Sequence, residues 1–375
     1  MISWKKKCLI CIIIFVFSII LYKLIQNQYQ NLAIQKKIRA NKDGFQPNIQ
    51  EGLDANVPNE IRHFKLNDDG PGVITVKYAQ FPDLLLKDYA VKTSYNTAYT
   101  GSSMSMSAIS YVLTRGYRFL DYEVYMVDDM PVVAYGEDKT SNLITSSNTL
   151  PLGQVLYNTI SSAFSAPSPN LNDPLFIQLR IYSKDTAIYE MVAKSIYKNL
   201  KNRLYVGKVN GDTLISDIMG KIIIVIDKKI SLDYDKYPNC STPSFFKDDG
   251  EKSTENPESK CFNLSVFTNL ESNGDNLRTY KYGDMLDQNT NPPHIKDNNT
   301  TDITVLKMVY PDVKQNTSNP EVVVFIKKYG IQFVAVRLYM VDANLKLYEK
   351  TFSDGGMAVC PISKIGEKPT TIIPI

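Results

Sequence analysis

Acid–base chemistry near neutral pH leans on imidazole, and this chain of 375 residues has two histidines, His63 and His294. The other side chains with chemical potential fall in short clusters: Ser94-Tyr95-Asn96-Thr97, Asp121-x-Glu123, Pro131 to Gly136 with Tyr135 inside it, Arg180 within the run Pro174 to Tyr182, and Met308-Val309-Tyr310-Pro311. A carboxylate such as Asp121 or Glu123 could act as a base. A phenol with an ordinary pKa of about 10 is a poor one at pH 7 unless a cation such as Arg180 depresses it.

Most of these clusters close a β-rich run. YAVKTSY (89–95), RFLDYEVYMV (118–127), MPVVAY (130–135), PLFIQLRIY (174–182) and KIIIVID (221–227) read as strands. Between them, MSAISYVLTRG (106–116), LGQVLYNTISSAF (152–164) and AIYEMVAKSIYKNLKNRL (187–204) carry apolar residues at 3–4 spacing and read as helices. Strands alternating with helices predict an α/β chain with a parallel sheet, and at this length a TIM-type β/α barrel. Residues 231–302 break the rhythm with polar, Pro-bearing stretches and read as an inserted, partly disordered linker. Beyond it, IQFVAVRLYMV (331–341) and LKLYEKTF (345–352) are strand candidates that complete the barrel. At 43% hydrophobic and 22% charged residues the chain can bury a core. A formal net charge of +3 gives no reason to expect nucleic acid as a partner.

The N-terminus reads as a membrane anchor over residues 1–25. The uncharged run from Cys8 to Tyr22 extends through Leu24 and Ile25 if Lys23 snorkels, which makes 18 positions, and it ends without the small residues of a cleavage site. Lys5, Lys6 and Lys7 precede the span, so the expectation is a single-pass protein with its N-terminus in the cytosol and its body lumenal or external. Residues 26–83, rich in Gln, Asn and Lys, read as a stalk. Sequons at Asn239, Asn263, Asn298, Asn299 and Asn316 suit such a body. Cys240 and Cys261 share one polar segment, where a disulfide and two thiols are both open.

In order and spacing, the clusters of residues 94–182 resemble the X region of phosphatidylinositol-specific phospholipase C. Met308 to Pro311, Thr317 to Pro320 and Gly330 to Val336 resemble its Y region. The resemblance implies a phospholipase C-like phosphodiesterase barrel in two halves, residues 84–230 and 303–375, joined by the 231–302 linker. It also implies a catalytic imidazole pair, one a base on the inositol 2-hydroxyl and one protonating the leaving group. The matching positions here are Tyr95 and Tyr135, while His63 falls in the stalk and His294 in the linker.

The family's calcium positions match Asn96, Asp121 and Glu123, with the acidic pair in reversed order, and its last carboxylate falls on Arg180. A guanidinium there would repel a divalent cation. The expectation is therefore no cofactor, calcium being disfavoured, and an ion-pair network of Asp121, Glu123 and Arg180. Arg180, Lys228 and Tyr310 match substrate-binding positions, whereas Ile226 and Met308 stand where the family has cations. The set is similar to phospholipase C-like proteins of large DNA viruses. The leading expectation is a membrane-anchored, catalytically impaired barrel that acts as a binding or structural module at a membrane or virion surface. Its expected partners are the membrane through residues 8–25 and inositol phospholipid headgroups or a protein. The alternatives are an active phosphodiesterase with a non-histidine acid and base, and an envelope or receptor-binding protein.

Overall fold

The computed structural model describes residues 81–366, apart from 82, 138, 140–142, 238–261, 287–304, 313–317 and 320. The chain divides into two units, Met1–Ala55 and Asn56–Ile375, and the described residues all belong to the second. The 8–25 run, His63, His294, Cys240, Cys261 and the sequons at Asn239, Asn298, Asn299 and Asn316 lie outside the described residues. Among the described residues no helix is long and apolar enough to cross a membrane.

Eight parallel strands close on themselves: β1 (Tyr89–Ser94), β2 (Phe119–Val127), β5 (Leu175–Tyr182), β6 (Ile222–Asp227), β7 (Leu270–Ser272), β8 (Leu277–Lys281), β9 (Leu306–Tyr310) and β10 (Phe333–Val336). The β1–β2 pairing at Thr93 and Phe119 shuts the ring. Three antiparallel strands are added outside it. β3 (Met130–Val133) and β4 (Leu150–Pro151) extend from β2, and β11 (Val359–Pro361) pairs with β1.

Alternation along each strand divides the core in two. Val91, Phe119, Phe176, Ile223, Val225, Leu277, Leu306, Met308 and Phe333 belong to one apolar cluster inside the ring. The rings of Phe119, Phe176 and Phe333 meet there with centroids 4.8 to 5.8 Å apart. Their neighbours in sequence, among them Leu120, Tyr122, Ile177, Leu179, Ile222, Ile224 and Val334, form the second cluster with the helices. Those helices include α1 (Met106–Thr114), α2 (Leu152–Ala163) and α3 (Ala187–Leu200), whereas the one-turn α4 (Ile215–Ile218) adds Ile215 and Ile218 to the cluster inside the ring. The floor of the ring is thus dry and apolar. Going up β2 and β5, the same inward alternation reaches Asp121, Glu123, Gln178 and Arg180, so polarity is concentrated at the C-terminal mouth.

Three expectations need correction. Within the 231–302 linker, residues 262–286 form the one-turn α5 (Leu264–Phe267), β7, β8 and α6 (Tyr282–Leu286), so this segment supplies two strands of the ring. No crossover helix joins β7 to β8. Asn273, at φ 60°, and Gly274 turn the chain between them, and Ser272 pairs with Leu277. Of the strand expected over 331–341, only β10 forms. The strand expected over 345–352 is part of helix α8 (Ala343–Gly355), which follows α7 (Val322–Tyr329). Asp342 caps α8 by accepting from Leu345 N at 2.7 Å, and Leu345, Tyr348 and Phe352 bury one helical face. The sequon at Asn263 is also no surface feature: Asn263 is buried and its Oδ1 accepts from Ser265 N at 2.9 Å.

Helix α8 is tied to the ring by a buried charge cluster. Glu349 accepts from Lys92 Nζ at 2.7 Å, Arg115 Nε at 3.2 Å and Tyr117 Oη at 2.7 Å. Burial alone would raise the Glu349 carboxyl, but Lys92 and Arg115 hold it below its ordinary value. Removing one member leaves a buried charge uncompensated, which typically costs about 3–5 kcal/mol. Glu349→Leu should destabilise the chain by about that much in urea unfolding, and adding Lys92→Met should recover part of the loss. A double variant no more stable than the single one would contradict this assignment.

Candidate functional site

Strand register places the central contact of the mouth. In the β2–β5 ladder Glu123 is opposite Arg180 and Asp121 is opposite Gln178. Arg180 therefore reaches both carboxylates, one at its own level and one a layer below. Its Nε and Nη2 donate to Asp121 Oδ1 and Oδ2 at 2.8 and 2.6 Å, a two-pronged geometry that only a guanidinium supplies. Its Nη1 lies 3.1 Å from Glu123 Oε1.

Asn96, directly after β1, completes the cluster. Its backbone is left-handed at φ 45°, a conformation that Asn tolerates better than most residues. Asn96 N donates to Asp121 Oδ2 at 2.9 Å, its Nδ2 donates to Glu123 Oε1 at 3.2 Å, and its Oδ1 accepts from Arg180 Nη2 at 2.6 Å. Asn96, Asp121, Glu123 and Arg180 are thus brought together as one buried network.

The loop after β3 caps Glu123. Gly136 N and Tyr125 Oη donate to Glu123 Oε2 at 3.2 and 2.9 Å, and Lys139 pairs with Oε1. A Cβ on Gly136 would lie 2.5 Å from Leu143 O and 2.6 Å from Tyr125 Oη, so only glycine fits this approach. Burial by itself would raise the Glu123 carboxyl. Arg180 and Lys139 outweigh it and hold the group below its ordinary value.

The two phenols at the expected imidazole positions have different fates. Tyr95 lines the cleft under Arg180, whose guanidinium carbon lies 4.7 Å from its ring centre. Burial pushes the Tyr95 hydroxyl above its ordinary value despite that cation, which is the wrong direction for a base. Tyr135 is not in the cleft wall. Its ring stacks on Tyr99 at 4.1 Å, with Lys139 Nζ 4.6 Å from its centre.

A cleft of about 570 Å³ opens on the other half of the mouth. Its walls include Tyr95, Arg180, Tyr182, Tyr280 and Tyr310, the lysines Lys139, Lys229 and Lys281, and Asp227. Tyr310 lines the cleft. Lys228 does not: it points to Glu271 at 2.9 Å, and the next residue, Lys229, lines the cleft instead. Lys139, Lys229, Lys281 and Asp227 carried no motif. Asp227 had one signal, being the charged residue that closes the apolar run KIIIVI. It is 2% exposed, and burial raises its carboxyl above the ordinary value against the pull of Asn273, Ile230 and Arg180.

The residues present do not fit a calcium ion at the position the resemblance implies. A hard cation needs six to eight oxygens with free lone pairs. Here Asn96, Asp121 and Glu123 already accept from Arg180 or Lys139, and an added divalent ion would meet both cations. Among the described residues no cluster of three His, Cys, Asp or Glu could hold a metal.

Arg180→Met should therefore cost about 3–5 kcal/mol at pH 7 by stranding two buried carboxylates. The sign of its pH dependence is specific. In the wild type, the depressed Glu123 contributes stability above the ordinary carboxylate value of about 4, which is lost as pH falls through its folded value. In the variant the Glu123 carboxyl loses the pull of Arg180 and sits higher than in the wild type, so acidification from pH 7 toward 5 should narrow the gap. Urea midpoints measured across that range check this, and a gap that widens would contradict it.

No protein-family profile matches the chain, and no curated protein does. Solved structures do. PLC21 of L. pealei matches with a TM-score of 0.51 at 16% identity, over 76% of this chain and 37% of that one. The calcium-dependent phosphoinositol-specific phospholipase C of a Gram-negative Pseudomonas, in its apo form, matches with a TM-score of 0.47 at 12% identity, over 78% of this chain and 98% of that one. The chain thus spans little more than a third of the length of L. pealei PLC21. By its closed ring of eight parallel strands, the chain has the fold of the phosphatidylinositol-specific phospholipase C and phospholipase C-like phosphodiesterase barrels.

Proposed function

We propose that this chain is a membrane-anchored phospholipase C-like barrel whose mouth binds a phosphate-bearing ligand at a membrane or virion surface without cleaving it by imidazole and calcium chemistry. The observation that carries the reading is Arg180, held by Asp121, Glu123 and Asn96. That network commits the carboxylates to a fixed guanidinium, and general acid–base catalysis needs groups that exchange protons near the operating pH. Tyr95, with its hydroxyl raised, is not such a group.

What supports binding is the other half of the mouth. Three lysines and the edge of Arg180 supply positive charge, and Tyr182, Tyr280 and Tyr310 supply ring faces, a combination suited to a phosphate on an organic body. The apolar run at residues 8–25 would anchor the chain in a bilayer with its N-terminus in the cytosol, and inositol phospholipid headgroups are the partner this suits. A bound headgroup, rather than a released product, is then the functional state.

Two measurements test this. The full chain, incubated with phosphatidylinositol vesicles, should release no inositol phosphate with or without millimolar calcium. Calcium-stimulated release abolished by Tyr95→Phe would contradict the reading. The same chain should bind myo-inositol 1-phosphate, and Lys229→Ala with Lys281→Ala should weaken that binding by roughly 10- to 100-fold, the range expected for losing charge-assisted hydrogen bonds.

A further inference from the structure

The tripeptide Asn-Gly-Asp occurs twice in the chain, at 210–212 and at 273–275, and both copies lie among the described residues. An asparagine followed by glycine is a step at which a peptide chain can modify itself, because no Cβ shields the glycine nitrogen from the asparagine Cγ. By sequence the two copies are equivalent. Their surroundings are not.

Asn210 is exposed, in a turn at the N-terminal end of the ring. Its Oδ1 accepts from Asp212 N at 3.0 Å and from Thr213 Oγ1 at 3.4 Å. Two donors on that oxygen polarise the Cγ carbonyl and stabilise the oxyanion that forms when a nucleophile adds to it. The neighbouring nucleophile, Gly211 N, has no hydrogen-bond acceptor among the described residues. Asn273 is placed differently. Its Nδ2 donates to Asp227 Oδ1 at 3.0 Å, Thr279 Oγ1 donates to its Oδ1, and Gly274 N donates to Glu271 O at 3.3 Å. Nucleophile and leaving group are both engaged there, and loss of the amide would set a second carboxylate against Asp227.

We propose that Asn210–Gly211 is a self-modification site, at which the folded chain converts to isoaspartate while Asn273–Gly274 stays intact. Gly211 N adds to Asn210 Cγ, the new N–C bond closes a five-membered imide, and the side-chain nitrogen leaves as ammonia with the Gly211 proton. Water then opens one of the two imide carbonyls. Opening at Cγ leaves an aspartate, whereas opening at the main-chain carbonyl routes the backbone through the side chain and lengthens it by a methylene. Water is the co-reactant, and no electrons are exchanged.

The same turn supports the approach to β1. Leu86 N donates to Thr213 O at 2.8 Å, Lys87 N donates to Gly211 O at 3.0 Å, and Lys87 Nζ pairs with Asp212 at 2.6 Å. A backbone lengthened at position 210 shifts these acceptors, so conversion loosens Leu86 and Lys87.

The test is incubation of the full chain in detergent micelles at mildly alkaline pH, with and without urea. Both tripeptides are followed by peptide mass mapping, in which conversion adds about 1 Da. In the native chain Asn210 should convert about 10-fold or more faster than Asn273, and in urea, where neither has tertiary surroundings, the two should convert alike. Gly211 is not left-handed, so its backbone accepts alanine, and Gly211→Ala should suppress the native conversion. Amide hydrogen exchange at Leu86 and Lys87 should quicken in the converted chain. Equal native rates at the two asparagines, faster conversion of Asn273, or an Asn210 that stays intact in the native chain each overturn the proposal. Unchanged exchange at Leu86 and Lys87 after conversion overturns the loosening of the approach to β1.

Discussion

A guanidinium fixed between two buried carboxylates sets the terms for the mouth of this barrel. Asp121 and Glu123 are two inward positions of one strand, at 0 and 1% exposure, where neither could remain ionised without compensation. Arg180 supplies it from the neighbouring strand, and the ladder that sets Glu123 opposite Arg180 makes the contact possible. Lysine would be a poorer fit, because its three donors share one nitrogen, whereas Arg180 meets Asp121 through Nε and Nη2 and Glu123 through Nη1. Through Asn96 the same cation fixes the turn leaving β1, so three strand ends are held by one side chain.

That arrangement divides the mouth into two regions with different capacities. Around β1, β2 and the loop after β3 both buried carboxylates are engaged: Glu123 by Lys139, Tyr125 and Gly136, and Asp121 by Arg180 and Asn96. Around β6, β8 and β9 the walls carry lysines, tyrosines and the Asp227 carboxylate. The aromatic cluster of Phe119, Phe176 and Phe333 fills the ring below the mouth.

The sequence carried the ring and the charge network further than it carried the cleft. Strands β1, β2, β5 and β6 are long and almost wholly buried, and their apolar runs mark them within a residue or two. Asp121, Glu123 and Arg180 were legible as one group through the resemblance that aligns them with a single site of that family. Strands β7 and β8 were not, since three and five residues set among polar neighbours carry too little pattern to stand out. LKLYEKTF fits alternation and 3–4 spacing equally, and the cap at Asp342 settles it as helix. Lys229 in place of Lys228, and Tyr135 stacked on Tyr99, depend on how the chain turns after a strand ends. Periodicity within the strand does not fix that turn.

The most direct test of the account is a crystal structure grown in millimolar calcium and viewed at the end of β5. The account predicts Arg180 Nε and Nη2 still on Asp121, with no ion between Asn96, Asp121 and Glu123. An ion bound by those three residues, with the Arg180 side chain swung out of the network, would contradict it.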